Sequence, residues 1–170
     1  MQMAVFSDVH ANLEALEVAL SWYESLDVEI DRYAYLGDIV GYGPNPEECV
    51  DRIKGLVDYA VIGNHDAAVA GRMDYSFYHQ KAKEALDWHR DRLSQENIAW
   101  LESLPYRQAH EDIRFTHGSQ QNIEEFEYVF NVPQADALIN DWERLGHVNF
   151  IGHSHLTKSF ELYQSDGATE

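Results

Sequence analysis

The apolar run Tyr59-Ala60-Val61-Ile62 ends at Gly63 and gives way to Asn64-His65-Asp66. No other stretch constrains the fold as much. A short, partly β-branched run bounded by glycine reads as a buried strand. Three adjacent polar side chains at its end are costly to bury unless something binds them. The same transition recurs elsewhere. Val5-Phe6 runs into Ser7-Asp8-Val9-His10 and Ala34-Tyr35-Leu36 into Gly37-Asp38. Ile113-Arg114-Phe115 runs into Thr116-His117-Gly118, and Val148-Asn149-Phe150-Ile151 into Gly152-His153-Ser154-His155. Strands that each end in Asp, Asn or His describe one composite site beyond the carboxyl ends of a sheet, where ligands of open α/β folds sit. Those residue types ligate borderline metals.

The intervening sequence supplies the helices. After a first strand at residues 3–6, Leu13, Leu16, Leu20 and Tyr23 share one helical face, with Asn12 placed as N-cap. The positive end of that helix would face the Asp8/His10 pair. A second strand is expected at residues 33–36. Gly41-Tyr42-Gly43-Pro44 reads as a turn, and Asn45-Pro46-Glu47-Glu48 opens a helix that buries Val50, Ile53 and Val57. The order β-α-β-α-β implies parallel strands with right-handed crossovers.

Residues 75–104 read as two helices, the second capped by Ser94 and stopped by Pro105. A hairpin over residues 106–116 follows, then a helix from Asn131-Val132-Pro133 burying Ala137, Leu138 and Trp142. A last strand is expected at residues 159–163, before the polar stretch Gln164-Ser165-Asp166-Gly167. Neither a repeat nor a linker is apparent, so residues 1–170 are expected to form a single domain.

Charge and composition narrow the function classes. A formal charge of -18 repels polyanions and argues against a polymeric nucleic-acid partner. Divalent cations would reverse the potential locally, so a small anionic substrate remains compatible. With Cys49 as the one cysteine, an intrachain disulfide is impossible. The N-terminal apolar run is too short for a signal peptide, and nothing approaches a membrane span. A cytoplasmic location without membrane contact is expected.

The ordered series Asp-x-His, Gly-Asp, Gly-Asn-His-Asp, His-Gly and Gly-His-x-His resembles the calcineurin-like metallophosphoesterases, from Phe6 to His155. The segments Ser7-Asp8-Val9-His10-Ala11-Asn12 and Leu36-Gly37-Asp38-Ile39-Val40-Gly41-Tyr42-Gly43 are most similar to the small prokaryotic phosphodiesterase/phosphatase branch. The resemblance implies an α/β fold: a layered metallophosphoesterase β-sandwich flanked by helices. It also implies a dinuclear site. One divalent ion would be held by Asp8, His10, Asp38 and His155, the other by Asp38, Asn64, His117 and His153, with Asp38 bridging. A hydroxide shared by the ions would be the nucleophile on a small phosphoester. His65 would be catalytic near the leaving-group oxygen, as general acid or hydrogen-bond donor. Manganese is the first expectation, and the N/O ligand set also admits Fe, Co, Ni or Zn.

The sequence departs from the family at two points. In the protein-phosphatase branch, an Asp three residues after the bridging Asp orients the catalytic His. Gly41 stands there instead, leaving Asp66 as the candidate for that role. Family members also continue well past Gly-His-x-His with strands completing a second sheet. Here about one such strand follows, so the C-terminal part of that sheet is expected to be missing.

Arg72 reads first as a solvated surface residue and is the one clear candidate near a motif that could meet a substrate phosphate, a scarcity that favours diesters over monoester dianions. His79, His89, His110 and His147 read as structural or surface residues, and the Trp and Tyr residues of 75–104 as packing. Glu124-Glu125-Phe126-Glu127 reads as a solvated face. Two other functions compete with hydrolysis of a small ester: a non-catalytic metal-binding interaction module of the same fold, and a DNA-repair-type nuclease.

Overall fold

Side chains that alternate along short strands give this molecule two buried interfaces. The computed structural model describes residues 1–163. Strands β1 (Met3–Phe6), β2 (Arg32–Tyr35) and β3 (Tyr59–Ala60) pair in parallel, in the order β1-β2-β3. Phe6, Tyr35, Ala60 and Ile62 face the helices, whereas Met3, Val5, Ala34, Tyr59 and Val61 face the other way. Apolar residues on both faces mark a sheet covered on both sides.

The first face is covered by α1 (Leu13–Glu24), α2 (Pro46–Lys54), α3 (Asn64–Val69), α4 (Gln80–Arg92) and α5 (Gln95–Ser103). Their stripes follow helical spacing: Leu16 and Leu20, Val50 and Ile53, Leu86 and His89, Asn97 and Leu101 are buried. Asn12 and Ser94 act as N-caps, accepting from the amides of Ala15 and Asn97 at 3.0 and 3.2 Å. Asn45 precedes α2 without a side-chain cap bond; Pro46 and an acidic first turn start that helix.

The second face packs on a smaller sheet. β4 (Arg107–His110) and β5 (Ile113–Thr116) form an antiparallel hairpin, and β6 (Val148–Ile151) adds parallel to β5. Ala34, Leu36, Val61 and Phe115 fill the space between the sheets. Phe115 stacks on Tyr59 and Phe150 at 5.4 and 6.1 Å. A short helix α6 (Val132–Ala137) runs into a 3-10 segment, Leu138–Arg144, burying Ala135 and Leu138 while Ala137 and Trp142 stay half-buried. None of the helices among the described residues is long and apolar enough to cross a membrane.

Two expectations fail. Residues 159–163 form no strand. Extended chain becomes a strand only beside a partner whose amides it can pair with, and residues 156–159 are exposed, anchored by Lys158 Nζ on the Phe130 carbonyl at 2.7 Å. The third strand is also shorter than its apolar run. The Ile62 amide leaves the ladder to bond Pro105 O at 3.0 Å. The stretch Gln164-Ser165-Asp166-Gly167 lies outside the described residues.

Candidate metal centre

The carboxyl ends of β1, β2, β3, β5 and β6 meet at one end of the sandwich, where the chain leaves each strand. Asp8 N donates to Gly37 O at 3.0 Å, His10 N to Asp38 O at 3.0 Å and Gly152 N to Thr116 O at 3.4 Å, locking these exits together. Asp8 and His10, like His153 and His155, are two residues apart, a spacing that in extended chain puts both side chains on one face. Instead Asp8, His10, Asp38, His153 and His155 all have positive φ, from 49° to 65°. Left-handed backbone is uncommon outside glycine and concentrates at functional sites. It turns each side chain inward just after its strand ends.

Three groups of ligand atoms result, each within 4.8 Å of one another: Asp8/His10/His155, His10/Asp38/His65 and Asp38/His117/His153. Asp38 lies at the middle. Its Oδ2 is 3.8 Å from His10 Nε2 and 3.3 Å from His117 Nε2, while Oδ1 accepts the His65 amide at 2.9 Å. His155 Nε2 lies 3.3 Å from Asp8 Oδ1 and 3.1 Å from His10 Nε2. Asn64 Oδ1 is 3.1 Å from His117 Nε2. Side-chain exposure is 2% for Asp38 but 54% for His155, so the centre opens to solvent beside His155.

Surrounding groups aim these donors. His10 Nδ1 donates to Val40 O at 3.0 Å and His117 Nδ1 to Leu36 O at 2.7 Å, leaving each Nε2 facing the centre. Asp8 Oδ2 accepts from Ser7 Oγ and from the His153 amide, at 3.2 Å for the latter. Asp8 Oδ1 is buried without a hydrogen-bond partner, as is His65 Nδ1. An orphaned carboxylate oxygen among converging imidazole nitrogens fits a divalent cation, whereas His65 Nδ1 lies against the Gly41 backbone.

The electrostatics are those of carboxylate among imidazoles. Burial opposes ionisation of Asp38, but His117, His65 and His10 outweigh it and hold its carboxyl well below the usual range. Burial would also depress His117, yet Asp38 and Asp8 lift it to about 9. Burial pushes His65 and His153 down to about 4, leaving both neutral at pH 7.

Asp66 makes no hydrogen bond to the His65 ring. Its Oδ2 accepts the amides of Asp38 and Gly63 at 2.8 and 3.1 Å, and its Oδ1 those of Ile39 and Val40 at 2.9 and 3.1 Å. Burial and nearby Asp38 push its pKa up to about 7, against the pull of the Gly63 and Val40 amides. All four partners are donors, so the arrangement is that of the carboxylate. Asp66 therefore shapes the loop carrying Asp38 and has no hold on His65. Gly63 permits this closeness, since a Cβ there would fall on Asp38 Oδ1.

Arg72 is also placed away from the centre. It donates to Glu102 O and Leu104 O at 2.9 and 2.6 Å and lies 4.4 Å over the Tyr106 ring, tying the end of α3 to the end of α5. The acidic run is solvated except for Phe126, which is buried against His117. Several aromatic side chains have a place here that the sequence did not disclose. Tyr78 OH accepts from Asn64 Nδ2 at 2.7 Å, which turns Asn64 Oδ1 toward the centre. Tyr128 stacks on His153 at 3.8 Å, and Tyr42 packs on His10 and His65 at 4.8 Å each. Tyr42 lies in the segment 36–43 but reads there only as a turn residue, Tyr128 sits outside any motif used above, and Tyr78 reads as one more aromatic in a helical stretch.

Residues 1–168 match the family described as calcineurin-like phosphoesterase. The uncharacterised protein MJ0912 of Methanocaldococcus jannaschii is 35% identical over 159 residues, covering 91% of this chain and 62% of the relative. A metallophosphoesterase structure from Sphaerobacter thermophilus is 39% identical with a TM-score of 0.74, covering 91% of this chain and 61% of that one. The hypothetical protein PH1004 of Pyrococcus horikoshii OT3 shares the fold at 23% identity, with a TM-score of 0.77 over 88% of this chain and 68% of that one. The chain thus spans about three fifths of the first two relatives.

Proposed function

Because this chain belongs to the calcineurin-like phosphoesterases, we propose that it hydrolyses small phosphate diesters at a centre holding two divalent transition-metal ions. One observation carries the reading: a single carboxylate oxygen, Asp38 Oδ2, faces His10 and His117, the inner members of two separate ligand groups. Asp8, His10, Asp38 and His155 would hold one ion, and Asp38, Asn64, His117 and His153 the other. Bound there, the pair supplies Lewis acidity to the phosphate and lowers the pKa of a water nucleophile. The carbonyls of Val40 and Leu36 keep the His10 and His117 rings oriented for this task. His65, beside both His10 and Asp38 and neutral at pH 7, hydrogen-bonds the leaving-group oxygen through its ring N–H.

The diester preference rests on charge. A monoester dianion calls for more cationic side chains, and Arg72 is committed to backbone carbonyls elsewhere. Elemental analysis of untreated protein, followed by assays with the metal it reveals, tests the whole reading. Bis-p-nitrophenyl phosphate is expected to turn over faster than p-nitrophenyl phosphate. A clear win for the monoester reverses the preference, and no turnover on any phosphoester points to the interaction-module reading.

Two substitutions probe individual roles. His65→Ala is expected to retain its metal content while kcat falls by about a hundredfold or more; undiminished turnover removes His65 from the mechanism. Tyr78→Phe deletes the acceptor that fixes the Asn64 amide. Loss of such a supporting contact costs about tenfold in metal affinity, so a titration should show one of two ions binding more weakly, the other unchanged.

A further inference from the structure

His89 lies on α4, outside every motif, and is 1% exposed. Its ring is nonetheless fully engaged. Nδ1 accepts the Gly41 amide at 2.9 Å, and Nε2–H donates to Gly43 O at 2.8 Å. Because a backbone N–H can only donate, Nδ1 must be the unprotonated nitrogen; burial favours the same neutral ring. One imidazole thus clamps the two residues flanking Tyr42, which is held at φ 65° beside Gly41 at φ 96°. Left-handed backbone at a tyrosine is held only where its surroundings over-determine it, and the clamp does so.

The clamped loop is the bed on which His65 rests. A Cβ at residue 41 would fall on His65 Nδ1, so the ring lies directly against the Gly41 backbone. Tyr42 packs on its side at 4.8 Å, with His10 at 4.9 Å and Tyr78 at 5.8 Å. No hydrogen bond reaches His65 Nδ1, and Asp66 is committed elsewhere. We infer that His89 is the positioning residue for His65, acting through the Gly41-Tyr42-Gly43 loop by shape rather than through a carboxylate. This rests on the catalytic reading of His65 above.

A double-mutant cycle on the metal-loaded protein tests it. His89→Phe keeps a planar ring but removes both hydrogen bonds. His89→Gln offers an adjacent acceptor and donor in their place. On a phosphodiester, His89→Phe is expected to lower kcat about ten- to a hundredfold, the scale of a small misplacement, with KM and metal content nearly unchanged. The deficit should be larger for a phenyl diester than for a p-nitrophenyl diester, whose leaving group needs less help. His89→Gln should recover most of the rate. In a His65→Ala background, His89→Phe should cost almost nothing more.

An equal loss in both backgrounds overturns the inference, as does full kcat in His89→Phe or metal loss in step with activity, which would route the effect through His10. If His89→Phe does not fold, Tyr42→Ala enters the same cycle, removing the packed ring while leaving the clamp; additivity there is equally fatal. Wild-type turnover in His65→Ala alone overturns the catalytic reading beneath and this inference with it. Additivity alongside an impaired His65→Ala sinks only the inference.

Discussion

Asp38→Asn is expected to abolish turnover while leaving the fold in place. The substitution keeps an acceptor at Oδ1 for the His65 amide, now 2.9 Å away. It replaces Oδ2 with an NH2 donor aimed at His10 and His117, whose Nε2 atoms lie 3.8 and 3.3 Å from that position. On the proposed reading, an anionic ligand shared by two ions would thus become a neutral group with no lone pair to offer. On that reading at least one of the two ions is lost. The electrostatic help given to phosphoryl transfer, several kcal/mol, corresponds to about a thousandfold or more in rate. Elemental analysis beside kcat measures both effects, and circular dichroism checks the fold. Two retained ions with near-normal turnover would end the bridging assignment.

Asp66→Asn should show the opposite profile, a loss of stability greater than its conservative appearance suggests. The carboxylate takes four backbone amides from two segments, Gly63 at the start of α3 and residues 38–40 after β2. An asparagine retains one oxygen and turns an NH2 against two N–H donors. Buried amides left without acceptors cost about 1–3 kcal/mol each, so a loss of about 3–5 kcal/mol is expected. For a chain of this size that lowers Tm by about 10 °C. A shift under about 3 °C in thermal denaturation would mean that the loop is held by other contacts. Because the same loop carries Asp38, metal affinity should weaken in parallel, whereas a direct partner of His65 would have altered kcat with metal binding intact.

The sequence was most readable where short-range physics rules. Helix stripes such as Leu16/Leu20 and caps such as Asn12 and Ser94 appear where spacing and side-chain chemistry put them. So do the parallel β1-β2-β3 sheet and the hairpin after Pro105. Residues 159–163 illustrate the limit: alternation and apolarity describe a strand, but pairing needs a neighbour that no local pattern supplies.

Residue types, strand ends and the order of the motifs were thus determined by the sequence alone, because burial, periodicity and turn chemistry act over a few residues. It named Asp8, His10, Asp38, Asn64, His65, His117, His153 and His155 as candidates, and the fold gathers them. Only the tertiary structure decided how they meet. The left-handed turns that aim them are stabilised by contacts between distant segments, the Asp66 carboxylate on residues 38–40 and the His89 ring on the Gly41–Gly43 loop among them. Such partners are chosen by packing across the whole chain, so neither Asp66 as loop anchor, Tyr78 behind Asn64, nor His89 behind His65 leaves a signal in the stretch it serves.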